Sequence, residues 1–212
     1  MTAAEAALLD PRVKRTREAL RQALLSLLAE QTFESVSVHE IAERAGVNRV
    51  TFYDHFPDKF ALLGDIIGES FRERLRLRTA ANPEGGCPLR PLILAACDYL
   101  SWLNQCCKPE HEPLFEPLLG SKVRALLCEL LQPTLETLDP GLRQRLRLPP
   151  ELGTVMAGGA IYSAVLAWAM GGLDEKLSRS EHPLTAEQFT ELILPVIGAS
   201  LFKPEQEESP AS

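Results

Sequence analysis

The stretch AGVNRVTFYDHFPDK, residues 45–59, gathers Arg49, Thr51, Tyr53, His55 and Lys59 into one short segment. Guanidinium, hydroxyl, phenol, imidazole and ammonium groups all donate hydrogen bonds, so their shared target is a surface rich in acceptors. A DNA groove is such a surface. Arg49 can pair with a guanine edge or a phosphate, Thr51 can bond phosphate or meet a thymine methyl, and Val50 can touch a thymine methyl. Tyr53 and His55 most naturally donate to phosphates, and Lys59 stands where a new helix N-terminus already attracts an anion. Ser37 and His39 can grip the backbone from the preceding helix. Arg12, Lys14, Arg15 and Arg17 can reach phosphates or the minor groove from further upstream. The competing reading is a solvated polar face with no partner.

Other chemistry-bearing residues make weaker patterns. Cys106, Cys107 and His111, with Glu110 and Glu112 nearby, suggest a metal or redox sensor. Lys108-Pro109 interrupts that segment, however, and no second cluster completes a four-ligand site. Five cysteines without paired spacing fit a reducing cytoplasm better than a disulfide framework. Tyr99, Trp102, Tyr162 and Trp168 are candidates to line a small-molecule pocket, although aromatics at helical spacing also serve as plain core. No nucleophile–base pair, phosphate loop, metalloenzyme motif or cofactor-binding motif stands out, so the chain does not read as an enzyme.

The elements that must hold the polar segment follow from helical signals. Leu20, Leu24, Leu27 and Leu28 draw an apolar stripe for a helix over about 12–31. Ser37 and Glu40 form a capping box that starts a short helix ending at Ala45, and Gly46 supplies the left-handed residue beyond it. Asn48 caps a second short helix through about His55, and Asp58 caps a longer one from Lys59 to about Arg78. Two short helices joined by a glycine turn and braced by a longer one have the layout of a helix-turn-helix. Ile41, Ala42, Val47, Phe52 and Phe56 then face inward, leaving Arg49, Val50, Thr51, Tyr53 and His55 outward. Further helices are expected over about 89–107, 113–119, 121–138, 150–171 and 185–201, with a kink or boundary at Pro133 and Pro195. No period-2 strand pattern occurs.

SVHEIAERAGVNRVTFYDHFPDKFALL resembles the DNA-binding domain of the TetR family of bacterial transcriptional regulators. Ile41, Ala42, Ala45, Gly46, Val47, Tyr53, His55, Phe56, Asp58, Lys59, Leu62 and Leu63 carry the likeness, which covers about residues 12–65. Phe52, where leucine is commoner, is a conservative departure. The resemblance implies a homodimer that binds a near-palindromic operator in double-stranded DNA. It also implies a larger helical domain that dimerises through its last two long helices and encloses a small-molecule effector. Gly159, Ser163, Phe189, Ile193 and Val196 are the expected dimer contacts, helped by small residues around Gly158 that let backbones approach. The bland alternative makes both helices the core of a monomer.

Bulk properties agree with this frame. Residues 1–80 are charge-balanced, so the net charge of −7 falls entirely on residues 81–212. An acidic chain is no nonspecific polycation, and an anionic partner must be met by a local basic face. GTVMAGGAIYSAVLAWAMGGL (153–173) is uncharged but rich in glycine and alanine, and is read as a buried interface helix rather than a membrane span. The stretch MTAAEAALLD lacks the basic region of a secretory signal. The expected architecture is all-α: a loose lead-in over 1–11, a helix-turn-helix domain over 12–58, a helical effector-binding and dimerisation domain over 59–202, and a tail of disordered composition over 203–212. The expected function is a cytoplasmic, ligand-responsive repressor. An activator with the same DNA-binding mode, or a helical module that docks a protein instead of DNA, is the alternative.

Overall fold

Asp10 and Pro11 start the first helix as their chemistry requires. The Asp10 carboxylate accepts from the Arg12 N–H at 2.8 Å, and Pro11 occupies a first-turn position that needs no donor. The computed structural model describes residues 10–81, 87–106, 115–171 and 184–204. Among them the helices are α1 (Pro11–Leu28), α2 (Val38–Arg44), α3 (Arg49–His55), α4 (Lys59–Ala80), α5 (Leu89–Cys106), α6 (Phe115–Glu136), α7 (Pro140–Gln144), α8 (Pro150–Ala169) and α9 (Ala186–Leu201). The only extended pairing among the described residues is an isolated antiparallel bridge between Leu146 and Phe202. The all-α expectation holds. Cys107, Glu110, His111 and Glu112, and the tail beyond Pro204, lie outside the described residues.

The chain divides into two compact units. The first comprises residues 1–70 with 103–119, and its core is built from Leu20, Leu24, Leu27, Phe33, Val36, Ile41, Phe52, Phe56 and Leu62. The second comprises residues 71–102 with 120–212, centred on Phe71, Ile93, Tyr99, Leu127, Ile161, Val165 and Phe189. The division falls inside α4, between Ser70 and Phe71.

Three local expectations change. The helices foreseen over 113–119 and 121–138 are one helix, α6, because Gly120 ends nothing. It is a buried packing residue, and a Cβ there would run into the Tyr162 hydroxyl. Of the kink or boundary expected at Pro133 and Pro195, no boundary forms, since both lie within α6 and α9 without ending them. Both sit on exposed faces, where water can meet the carbonyl that each ring leaves unpaired. α7 was not foreseen, although Asp139-Pro140 repeats the start signal of α1. The Asp139 carboxylate accepts from Gly141 and Leu142 N–H at 2.9 and 3.0 Å.

Candidate nucleic-acid interface

The capping box at α2 forms as its residue types demand. Ser37 N–H and Oγ–H donate to the Glu40 carboxylate at 2.8 and 2.6 Å, and Glu40 N–H returns a bond to Ser37 Oγ at 3.2 Å. Those bonds, with one from the Gln31 amide, hold the Glu40 carboxyl down at about 2. The turn that follows is equally determined. Gly46 adopts φ +70°, and Val47 N–H closes back on the Ala42 carbonyl at 2.9 Å. Asn48 Oδ1 then accepts from Thr51 N–H at 2.7 Å, which opens α3, and Phe52 and Phe56 bury its inner face.

What this scaffold presents is a stripe of Arg49, Val50, Tyr53 and Asp54, all exposed, with Thr51 and His55 half-buried at its edge. Val50 is 69% exposed and Tyr53 50%. Asn48 is exposed beside its capping bond, and His39 is exposed on the first turn of α2. Arg12, Lys14 and Arg15 are exposed on α1. Asp54 belongs to the stripe although sequence reasoning passed over it. Its position four residues after Val50 is the signal that would have found it.

Three expected phosphate donors have hydrogen-bond partners within the protein. Lys59 Nζ donates to the carbonyls of Phe33, Glu34 and Val36 at 2.8, 2.9 and 2.8 Å, so all three ammonium protons are engaged. Arg17 bonds Asp65 at 2.6 Å and stacks over the Phe56 ring at 4.3 Å. Ser37 has both donors on Glu40, leaving none for a phosphate oxygen.

Residues 20–66 match the family described as "Bacterial regulatory proteins, tetR family". Over 97 residues the chain is 40% identical to the uncharacterized HTH-type transcriptional regulator YxbF of Bacillus subtilis, covering 45% of this chain and 26% of that protein. Residues 20–66 carry a TetR-family DNA-binding domain. The alignment spans only about a quarter of that relative's length. The fold as a whole resembles a TetR-family regulator from Streptomyces coelicolor, with a TM-score of 0.55 at 18% identity over 90% of this chain and 98% of that one. It also resembles Thermus thermophilus FadR, a TetR-family repressor solved with lauroyl-CoA, with a TM-score of 0.50 at 20% identity over 92% of this chain and 100% of that one.

The four aromatic residues expected at an effector pocket fall into three settings. Tyr99 is buried beside Phe71 and Trp102, with ring centroids 5.8 Å from each, and the Arg74 guanidinium lies 4.8 Å from the Trp102 ring. Tyr162 is buried against the backbone at Gly120, under the Arg124 guanidinium. Trp168 stacks on Phe189 at 5.5 Å and donates its indole N–H to the Leu184 carbonyl at 3.0 Å.

α8 is long and apolar enough to cross a membrane by length and composition. Its Gly153, Thr154, Ala157, Gly158, Ile161, Tyr162 and Val165 are buried within the second unit. Leu152, Val155 and Met156 of α8 are exposed, as are Leu192 and Val196 of α9. Gly159 has open space where a side chain would stand, and Ser163 is exposed. Ile193 is half-buried. Phe189, expected on this outer face, is only 1% exposed and belongs to the protomer core, because it is the residue on which Trp168 stacks.

Proposed function

We propose that the protein is a dimeric, ligand-responsive transcriptional repressor that reads operator DNA through the exposed stripe of α3. The observation that carries this reading is the stripe itself, Arg49, Val50, Tyr53 and Asp54, held outward by a fully capped helix pair. Arg49 is suited to a guanine edge, Val50 to a thymine methyl, and Asp54 to a cytosine amino group. Asn48, Thr51, Tyr53 and His55, with Arg15 and His39 around them, are placed to donate to phosphates and fix the register. A regulator of this kind works in the cytoplasm, where bacterial DNA is.

Dimerisation is supported by the exposed apolar side chains of α8 and α9, since a two-fold partner placing the same face opposite would bury them. The two α3 helices would then enter successive major grooves about 34–36 Å apart. An effector acts by favouring dimers with a different spacing. α4 is suited to carry that change, because it contributes residues to both units. At its far end Arg78 bonds both Asp98 oxygens at 2.7 Å and Glu187 at 2.9 Å. FadR's lauroyl-CoA makes acyl-CoA thioesters one rational class to screen.

The test is enrichment of duplexes from a randomised pool, followed by anisotropy titrations of the recovered sequence. Recovery of a palindrome bound much more tightly than unrelated DNA is expected. No enrichment at low and moderate salt would favour the protein-docking alternative.

A further inference from the structure

We infer that Lys59 is a positioning residue for DNA recognition: it shapes the interface from behind, through the backbone of residues 33–36, and does not touch the nucleic acid. The inference rests on the DNA-binding reading above. Its basis is the convergence of three carbonyls, those of Phe33, Glu34 and Val36, on one ammonium at 2.8–2.9 Å. The Lys59 ammonium also lies 4.7 Å from the Phe33 ring centroid and 5.8 Å from that of Phe60, and those two rings meet edge to face at 5.2 Å.

The chemistry of the site favours lysine. The three carbonyls belong to the connection between α1 and α2, which forms no regular helix and must turn sharply into the Ser37 cap. Their oxygens point at a common centre, an arrangement that is mutually repulsive without a cation. An ammonium supplies three donors from one atom and matches that centre. A guanidinium spreads its donors over a plane and cannot. Because Lys59 is the first residue of α4, the clamp joins the start of α4 to the residues immediately before α2. The residues that lead into α2, and so into the unit that presents the DNA-facing stripe, are therefore tied to the start of α4 within the first unit.

Substitution by arginine separates positioning from contact. Lys59→Arg keeps the positive charge and gains phosphate-binding capacity, yet it cannot reproduce the three-carbonyl clamp. Lys59→Met keeps the apolar stem beside Phe33 and removes the donors. Anisotropy on a palindromic duplex enriched by the wild-type protein, and on an unrelated duplex, would be measured from low to moderate salt, well below each variant's melting temperature. Both variants are expected to lose at least about tenfold in affinity for the enriched duplex, the size of losing one good base contact. Their slope of log K against log salt should match wild type.

Wild-type affinity in Lys59→Arg overturns the inference. So does a slope reduced by about one contact in Lys59→Met, the mark of a lost phosphate partner. Hydrogen exchange on the free proteins gives an answer independent of DNA. Amides of residues 33–41 should exchange faster in both variants, and unchanged protection there also overturns the clamp. Failure of the wild-type protein to enrich any duplex would instead count against the DNA-binding reading, with the exchange result still deciding the clamp.

Discussion

Arg49 and Glu40 show how much of this interface depends on single side chains. Arg49 opens α3 and is exposed, so Arg49→Ala should leave folding intact. If it reads a guanine, discrimination at that base position falls by about 1–3 kcal/mol, while other positions keep their preferences. Competition titrations with single-base variants of the enriched duplex would show this. An equal loss on every sequence, with a shallower salt dependence, would make Arg49 a phosphate contact. Glu40 makes a prediction about pH. Its folded carboxyl titrates at about 2, below the ordinary value of 4.5, so the folded protein favours the ionised form. That stabilisation is fully present above about pH 4.5 and disappears as the pH falls towards 2. Glutamine at this position can still close the cap but cannot titrate. Wild type should therefore lose its stability advantage over Glu40→Gln across that window in urea melts, and a constant difference from pH 6 to pH 2.5 would contradict it.

At the scale of elements, the helix-turn-helix is determined by local chemistry that the sequence displays openly. Gly46 combines φ +70° with empty space beyond its Cα, so Gly46→Ala tests backbone strain without a clash. It should cost about 1–2 kcal/mol, with Gly46→Asn milder because asparagine tolerates the left-handed region. Thermal melts of the pair would show whether strain or packing dominates. α1 and α4 are held differently, by Asp65 between Arg17 at 2.6 Å and Arg21 at 2.7 Å. Asp65→Ala leaves two half-buried guanidiniums beside each other. Allowing for partial solvent access, a loss of about 1–2 kcal/mol and a fall of roughly 2–8 °C in melting temperature is expected. Caps, the glycine turn and the buried Phe52 and Phe56 were legible because each acts on residues a few positions away. The partners of Lys59 and Arg17 were not legible because they lie 23–48 positions distant, and a cation's sequence neighbours do not reveal whether its protons meet carbonyls or solvent. The burial of Gly120 and Phe189 was hidden for the same reason. Whether a glycine breaks a helix or admits a neighbour, and whether an aromatic faces in or out, depends on helices far along the chain.

For the whole molecule the decisive question is what covers α8 and α9. α8 is apolar on nearly every side, yet one face alone packs within the second unit, leaving Val155 60% exposed beside Leu152 and Met156. On α9, Val196 is 69% exposed and Leu192 51%. Burying a valine side chain is worth about 1.5–3 kcal/mol, and a two-fold interface counts each position twice. A glutamate there instead sets two carboxylates close to the symmetry axis or against apolar surface. Val196→Glu and Val155→Glu should therefore yield folded monomers in sedimentation runs at micromolar concentration. Neither residue contributes to the protomer core, so helical content and the Trp168–Phe189 stack should persist. The consequence for DNA follows from geometry. On the proposed mode, in which a palindrome binds one dimer through two α3 helices, a monomer meets only half as many phosphates. The slope of log K against log salt should fall to about half, and affinity for a single half-site should change little. If both variants remain dimers with full palindrome affinity, the exposed face of α8 and α9 is not the dimer contact.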